Sequence, residues 1–394
     1  MKTKFDSTVQ ELTPAVVSLR HEFHQHPEIR FEEHWTSDRI ASFLDDVGLP
    51  YERGLGRGTG IVATLKGPAP GKTVALRADI DGLEMSEQTG LPYASLTPGR
   101  MHACGHDGHM ACLCGVIQTL SRHRDQLRGT VRFLFQPGEE VAGGARYMVE
   151  DGVMEGVDAV FGLHGWPSLP VGQIALKPGR FMASADMFRI DVTGRGCHGA
   201  EPAAGIDPIV AAAHMVTGLQ TLVSREISPH EPAVVTVGHM EAGNTCNIIP
   251  DAALLEGTTR AFDDRIHHEL REGIRRVAEQ TAAAFRSTAS VRFGEVVYPA
   301  LHNDPAMTDF AREVAIDVLQ PENVVELERP LMVAEDFAYY LQEAPGTFLL
   351  LGVGSVGGPA RPPLHNARYD FNDDAIPTAM ALMSTIALRF LGLP

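Results

Sequence analysis

Residues 101–137 read MHACGHDGHM ACLCGVIQTL SRHRDQLRGT VRFLFQP: a turn rich in Cys and His, then an apolar helix, then a strand. The helix is GHMACLCGVIQTL (108–120) and the strand TVRFLFQP (130–137). The same alternation continues outward. GIVATLKG (60–67) and KTVALRADI (72–80) read as strands between Gly and Pro turns, GGARYMVEDG (143–152) as a helix and VDAVFGLH (157–164) as a strand. Residues 7–26 and 34–47 carry helical apolar spacing, with Pro27 closing the first. Strands that alternate with helices predict an α/β fold, a mixed, mainly parallel sheet sandwiched by helices.

After KPGRFMASAD (177–186) the pattern changes. ADMFRIDVTG (185–194), AVVTVGHM (233–240), DAALLEGTTRAF (251–262) and ASVRFGEVVYPA (289–300) read as strands, with helices at 207–223 and 265–285. Two helices and four strands in this order describe a small α+β domain. The tail then resumes with helices at 304–319, 335–342 and 373–391 around the strand TFLLLGVG (347–354). The expected organisation is one domain inserted in another: 1–184 and 300–394 form the first, 185–299 the insert, with hinges near 177–185 and 298–303. No internal repeat or low-complexity tract interrupts this layout.

The chain has 394 residues, more than one core usually serves, which agrees with two domains. A formal net charge of −17 argues against a nucleic-acid ligand, which calls for basic stripes. Five cysteines (104, 112, 114, 197 and 246) form no regular framework and read as reduced thiols of a cytoplasmic protein. No stretch approaches the roughly 18 uninterrupted apolar residues of a membrane span, and the N-terminus lacks a signal-peptide core.

Cys104 and His106 stand one residue apart in the opening turn, with His102, Asp107 and His109 beside them. Sulfur and imidazole donors this close together suit a transition metal such as zinc. A random Cys-x-His is more often a buried thiol beside a surface histidine; the glycines and extra histidines shift the reading toward ligation. Further donors stand at the ends of predicted strands, where open α/β sheets build their sites. They are Asp79 and Asp81, Glu139 and Glu140, and His164, with His365 in PPLHNARYD. Ligands drawn from separated loops describe an open, catalytic site, whereas structural zinc sites take short local pairs. Adjacent glutamates at a helix start are also common solvated pairs, favoured there by the helix dipole. After an apolar strand and Pro-Gly they point to one carboxylate on metal and one on the nucleophile. His198, in GRGCHGAEP, reads as a turn histidine of the insert; His21, His24, His26 and His34 as surface or packing residues; Cys112 and Cys114 as core thiols.

Taken together the segments LRHEFHQHPEIRFEE, LRADIDGLE, MHACGHDGHM, FLFQPGEE, GLHGWP, GRGCHGAEP, NTCNIIPDA, AEDFAYY and LHNARYDFND span most of the chain in a specific order. In these the chain resembles the aminoacylase and glutamate-carboxypeptidase superfamily of metallopeptidases, in its branch of hippurate and indoleacetyl-amino-acid hydrolases. The resemblance implies a zinc-exopeptidase-like catalytic domain with an inserted lid or dimerisation domain. It implies two divalent metal ions (zinc, manganese, cobalt or nickel) held by Cys104, His106, Glu140, His164 and His365, with Cys104 where other branches place a bridging carboxylate. Glu139 matches the general acid/base, Asp81 the aspartate that steadies a ligand imidazole, and His198 the insert histidine that reaches the substrate carbonyl, in relatives often across a dimer interface. Asn247 and Arg260 match contacts to the substrate carboxylate. Two departures stand out: Gly82 and Glu84 replace the usual Ala and Pro, and Ala334 replaces a Ser.

The expected activity is hydrolysis of N-acyl-L-amino acids, hippurate-like, by a cytoplasmic homodimer with neither nucleic acid nor membrane as a partner. Such hydrolysis needs an activated water, a stabilised oxyanion and a proton for the departing amine, which a two-metal site with an adjacent carboxylate supplies. Other readings are a dipeptidase, an N-acetyl-diaminopimelate deacetylase or an aminobenzoyl-glutamate hydrolase, a non-enzymatic metal-binding protein on the same fold, and a thiol enzyme using Cys104 with His106.

Overall fold

The computed structural model describes residues 5–392. The chain divides into two units, one of Met1–Gly179, His302–Arg329 and Asp336–Pro394, the other of Arg180–Leu301 and Pro330–Glu335. The return of residues 330–335 to the second unit has no counterpart in the expected boundaries at 184/185 and 299/300.

In the first unit eight strands form one sheet, in the order Tyr51–Leu55, Gly60–Lys66, Arg128–Gln136, Ala69–Asp79, Ala159–Pro170, Gly346–Gly354, Ile174–Leu176 and Val324–Glu326. The centre of the sheet, from Arg128–Gln136 to Gly346–Gly354, is parallel. Every residue of Gly346–Gly354 is buried, as expected of a strand covered on both faces. The helices Asp6–Gln25, His106–Arg122 and Ile376–Phe390 pack on one another, and their apolar faces join the sheet in a single core. Catalytic-type side chains leave from the C-terminal ends of the central strands: Asp79 ends one, Gln136 ends another just before Pro137-Gly138, and His164 lies along a third.

The second unit is a four-stranded antiparallel sheet, Ala233–Ala242, Ala252–Ala261, Ser184–Thr193 and Thr288–Phe293 in that order, with the helices Pro208–Thr221 and Asp264–Ala284. Ser184–Thr193 buries alternate residues, so one face of the sheet meets the helices through Phe188, Ile190 and Val192. Each helix starts at an aspartate whose side chain accepts backbone N–H bonds: Asp207, followed by Pro208, and Asp263. Thr288–Phe293 stops short of the expected end at 300. Among the described residues no helix is long and apolar enough to cross a membrane.

Candidate metal centre

Gly105 shapes the turn that carries Cys104 and His106. Its φ of 90° is left-handed, and a Cβ there would lie 2.7 Å from the Tyr369 hydroxyl, so only glycine fits without displacement. His106 then opens the helix His106–Arg122. The backbone N–H of His365 donates to the Ala103 carbonyl (2.8 Å), which ties the distant 365 loop to this turn. His365 itself sits at φ 60°, an uncommon conformation for a residue with a Cβ and one that tends to mark functional sites.

Cys104 Sγ lies 3.3 Å from His164 Nε2. His164 Nδ1 is 2.9 Å from the Gly165 carbonyl, which accepts only an N–H, so Nε2 faces the sulfur with a lone pair. His106 is set the same way: Nδ1 donates to the Asp81 carbonyl (2.9 Å) and to Asp81 Oδ1 (3.2 Å), and its buried Nε2 has no hydrogen-bond partner. Asp81 Oδ2 accepts the Glu140 N–H at 2.9 Å, so one aspartate orients both His106 and the acidic turn. On the far side Glu140 Oε1 comes within 3.1 Å of His365 Nε2 without an aligned hydrogen bond.

Donor atoms therefore converge in overlapping sets: Cys104, His106 and His164; Cys104, Glu140 and His365; His106, Glu139 and Glu140. Within each set the atoms lie within 4.8 Å of one another, and Cys104 belongs to two. A buried imidazole nitrogen and a buried carboxylate oxygen without hydrogen-bond partners would ordinarily cost a few kcal/mol. Aimed into a cluster of N, O and S donors, both fit divalent metal ions.

The electrostatics agree. Burial first, then Glu140 and Glu139, push the Cys104 thiol well above its usual range, so a thiolate here needs a cation beside it. Burial and the neighbouring His109 hold His164 well below its ordinary value, as a neutral ligand requires. Burial alone would lower His106, yet Asp79 and Asp81 outweigh it and raise the imidazole to about 10, so this negative surround keeps a proton on Nε2 unless a cation takes its place. Glu140 is held low despite burial by His365 and His106. A nucleophilic thiol wants the opposite setting, a depressed pKa and a cationic neighbour, which disfavours the thiol-enzyme reading.

Glu139, buried, shares a set with His106 and Glu140. The remaining expected residues belong to the second unit. His198 pairs across a two-stranded ribbon with Ile248, and the Asn247 carbonyl accepts the Gly199 N–H at 2.8 Å, so His198 and Asn247 are neighbours. Arg260 spends one guanidinium nitrogen on Thr258 Oγ1 (2.5 Å) and the Thr259 carbonyl (2.8 Å) of its own strand.

Sequence reading missed the layer behind these residues. His109 Nδ1 meets Asp79 Oδ1 at 2.7 Å and Nε2 accepts the Gly165 N–H at 2.8 Å, which steadies the peptide next to His164. Arg77, fully buried, bonds Asp79 (2.8 Å), Gln136 (2.8 Å) and Asp336 (3.0 Å). His24, expected as a surface or packing residue, is buried between Asp107 (2.7 Å) and Glu87 (3.3 Å), beside Arg20. The one available signal was the presence of charged residues inside otherwise apolar strands and helices.

Residues 75–389 match the family described as peptidase family M20/M25/M40. An N-acetyl-L-cysteine deacetylase of Bacillus subtilis is 41% identical over 345 residues, 86% of this chain and 81% of that protein. An IAA-amino acid hydrolase (ILR1-like 4) of Arabidopsis thaliana is 39% identical over 383 residues, 95% of this chain and 86% of that one. Among solved structures, a dinuclear metal-binding peptidase of the M20 family from Bacillus subtilis superposes with a TM-score of 0.83 at 36% identity, covering 98% of this chain and 100% of that one.

Proposed function

The chain belongs to peptidase family M20/M25/M40, and from that premise we propose that it hydrolyses N-acyl-L-amino acids, hippurate-like, to a carboxylic acid and a free amino acid. It is a metal-dependent amidohydrolase; the substrate class, the roles of individual residues and the metal's identity are the proposal. The observation that carries it is the pair of donor sets joined at Cys104 and flanked by the buried Glu139. The deacetylase and the IAA-amino acid hydrolase, by their names, act on an acyl group joined to an amino acid, which supports the substrate class.

Cys104, His106, Glu140, His164 and His365 would hold two divalent ions. When bound, such ions lower the pKa of a water toward ~7 and draw charge from the acyl oxygen. Asp81 keeps the His106 lone pair inward, and the Gly165 carbonyl does so for His164. Glu139 takes a proton from water as its oxygen bonds to the acyl carbon, then delivers that proton to the amide nitrogen as the C–N bond breaks. His198 is assigned the acyl oxygen, and Asn247 with Arg260 the substrate carboxylate, on the likeness of their motifs. A homodimer and a cytoplasmic location belong to the same reading, the second supported by five free thiols.

The test is a screen of N-acetyl, N-benzoyl and indoleacetyl amino acids with added zinc, manganese, cobalt or nickel and metal analysis of the same sample. Glu139→Gln should keep metal content and thermal midpoint while lowering kcat on the order of 10²–10⁴-fold, the usual worth of a general acid/base. Near-normal turnover in that variant would remove Glu139 from the mechanism.

A further inference from the structure

Behind the acidic turn stands a buried carboxyl group that the mechanism above does not use. Glu33 is fully buried. Its Oε1 accepts the Gly138 N–H at 2.9 Å and its Oε2 the Thr59 hydroxyl at 2.6 Å. Asp81 Oδ2 accepts the Glu140 N–H at 2.9 Å. The N–H groups of Gly138 and Glu140, the residues on either side of Glu139, are thus each held by a buried carboxyl from a different part of the chain. Glu33 immediately precedes the helix His34–Val47 yet its side chain makes no capping bond to it; that task falls to Glu28, whose carboxylate takes the N–H groups of Trp35 (3.0 Å) and Thr36 (2.8 Å). The Glu33 side chain is therefore free to serve the acidic turn.

The rest of this segment has the same orientation. Gly138 has φ 60°, and a Cβ on it would come within 2.8 Å of the Phe31 ring, so the turn rests directly on residue 31. The Gly82 N–H donates to the Glu28 carbonyl (2.6 Å), which fixes the loop after Asp81. Residues 28–36 consequently brace both loops that aim at the metal centre. Burial and the nearby Asp81 raise the Glu33 carboxyl to about 8, which keeps a further negative charge out of the interior at neutral pH.

We propose that Glu33 is a positioning residue of the hydrolytic reaction: by holding the Gly138 peptide against Asp81's hold on Glu140, it sets the direction in which the Glu139 and Glu140 carboxylates leave the turn. The inference rests on the roles proposed above for those two glutamates. Reach, rather than charge, is what the geometry asks of Glu33. A glutamine spans the same distance, can accept the Gly138 N–H through its carbonyl and donate to the Thr59 oxygen. An aspartate keeps the carboxyl but withdraws it by one methylene.

Glu33→Gln and Glu33→Asp separate these. In each, kcat and KM are measured on the N-acyl amino acid that the wild type cleaves, manganese and zinc affinity by competition with a chromophoric chelator, and folding by thermal melting. Glu33→Asp is expected to lose roughly 10–100-fold in kcat with KM within about threefold, and roughly tenfold in metal affinity, the scale of a ~1 Å misplacement and of a lost outer-shell contact. Glu33→Gln is expected to stay within about threefold of wild type in all three. A Glu33→Asp enzyme equal to wild type, or a Glu33→Gln enzyme impaired as deeply as Glu33→Asp, overturns the proposal. Metal affinity needs no substrate, so wild type that binds metal and cleaves no N-acyl amino acid refutes the proposed function alone, with the positioning role still judged by the affinities.

Discussion

A thiol held well above its usual pKa by burial and two glutamates is poor in every role except metal ligation, where the cation supplies the missing compensation. Cys104→Ala should accordingly lower bound metal per chain while leaving the core intact, since the sulfur sits at the overlap of two donor sets. Metal analysis after gel filtration checks this, and unchanged stoichiometry would take Cys104 out of the ligand set. His24 makes a different prediction. Burial alone would lower its pKa, but Asp107 and the contact with Glu87 raise it to about 9. A raised folded-state pKa stabilises the fold fully below the unfolded value near 6.5, and that contribution fades as pH climbs through about 9. The linkage is on the order of 3 kcal/mol. Wild type should therefore lose stability between pH 6.5 and 9.5 more steeply than His24→Gln, with chemical denaturation as the readout; parallel slopes would show that His24 is neutral in the fold. The letters of the metal turn were legible because its donors crowd within nine residues. Glu33 and His24 were not, because each acts through a partner 83 to 105 residues away and no local spacing marks such a pair.

At the level of elements the decisive junction is the entry to the helix His106–Arg122. Gly105 there is both left-handed and crowded, whereas Gly99, at φ 77°, is left-handed with open space around it. Gly99→Ala should cost only the backbone penalty, about 1 kcal/mol. Gly105→Ala adds the displacement of Tyr369, and because Cys104 and His106 flank it, metal affinity should fall along with the thermal midpoint. Equal effects in the two variants would mean that the Tyr369 contact gives way freely. The helices and central strands were readable because burial on one face writes a period into the sequence and burial on both writes a mostly apolar run, as in TFLLLGVG of Gly346–Gly354. The strands Tyr51–Leu55, Ile174–Leu176 and Val324–Glu326 escaped because three to five residues carry too few turns of any pattern, and backbone pairing with a neighbour defines them.

For the molecule as a whole, the apolar cores and the metal centre are built from separate residues. Each unit has its own apolar core, while the donor sets that include Cys104 come from the first unit alone. Around those donors the buried ion pairs of Arg20 with Asp107 and of Arg77 with Asp79 and Asp336 contain no proposed ligand. They tie the sheet ends to the metal turn through side chains that are not proposed ligands. Chelation should therefore abolish hydrolysis yet leave far-UV circular dichroism unchanged. It should also lower the thermal midpoint. Metal held at 100 times its Kd adds about 2.7 kcal/mol per site, and for a unit of this size each kcal/mol moves the midpoint by roughly 2–4 °C. A drop of about 5–10 °C per site is expected on exhaustive dialysis against a strong chelator, restored together with activity by manganese or zinc. Turnover that survives with metal content below one-tenth per chain would overturn the metal mechanism and return the Cys104–His164 contact to consideration as a thiol–imidazole pair. A large loss of helical signal would show instead that the metals hold up the fold itself, and that the buried ion pairs cannot keep the turn closed without them.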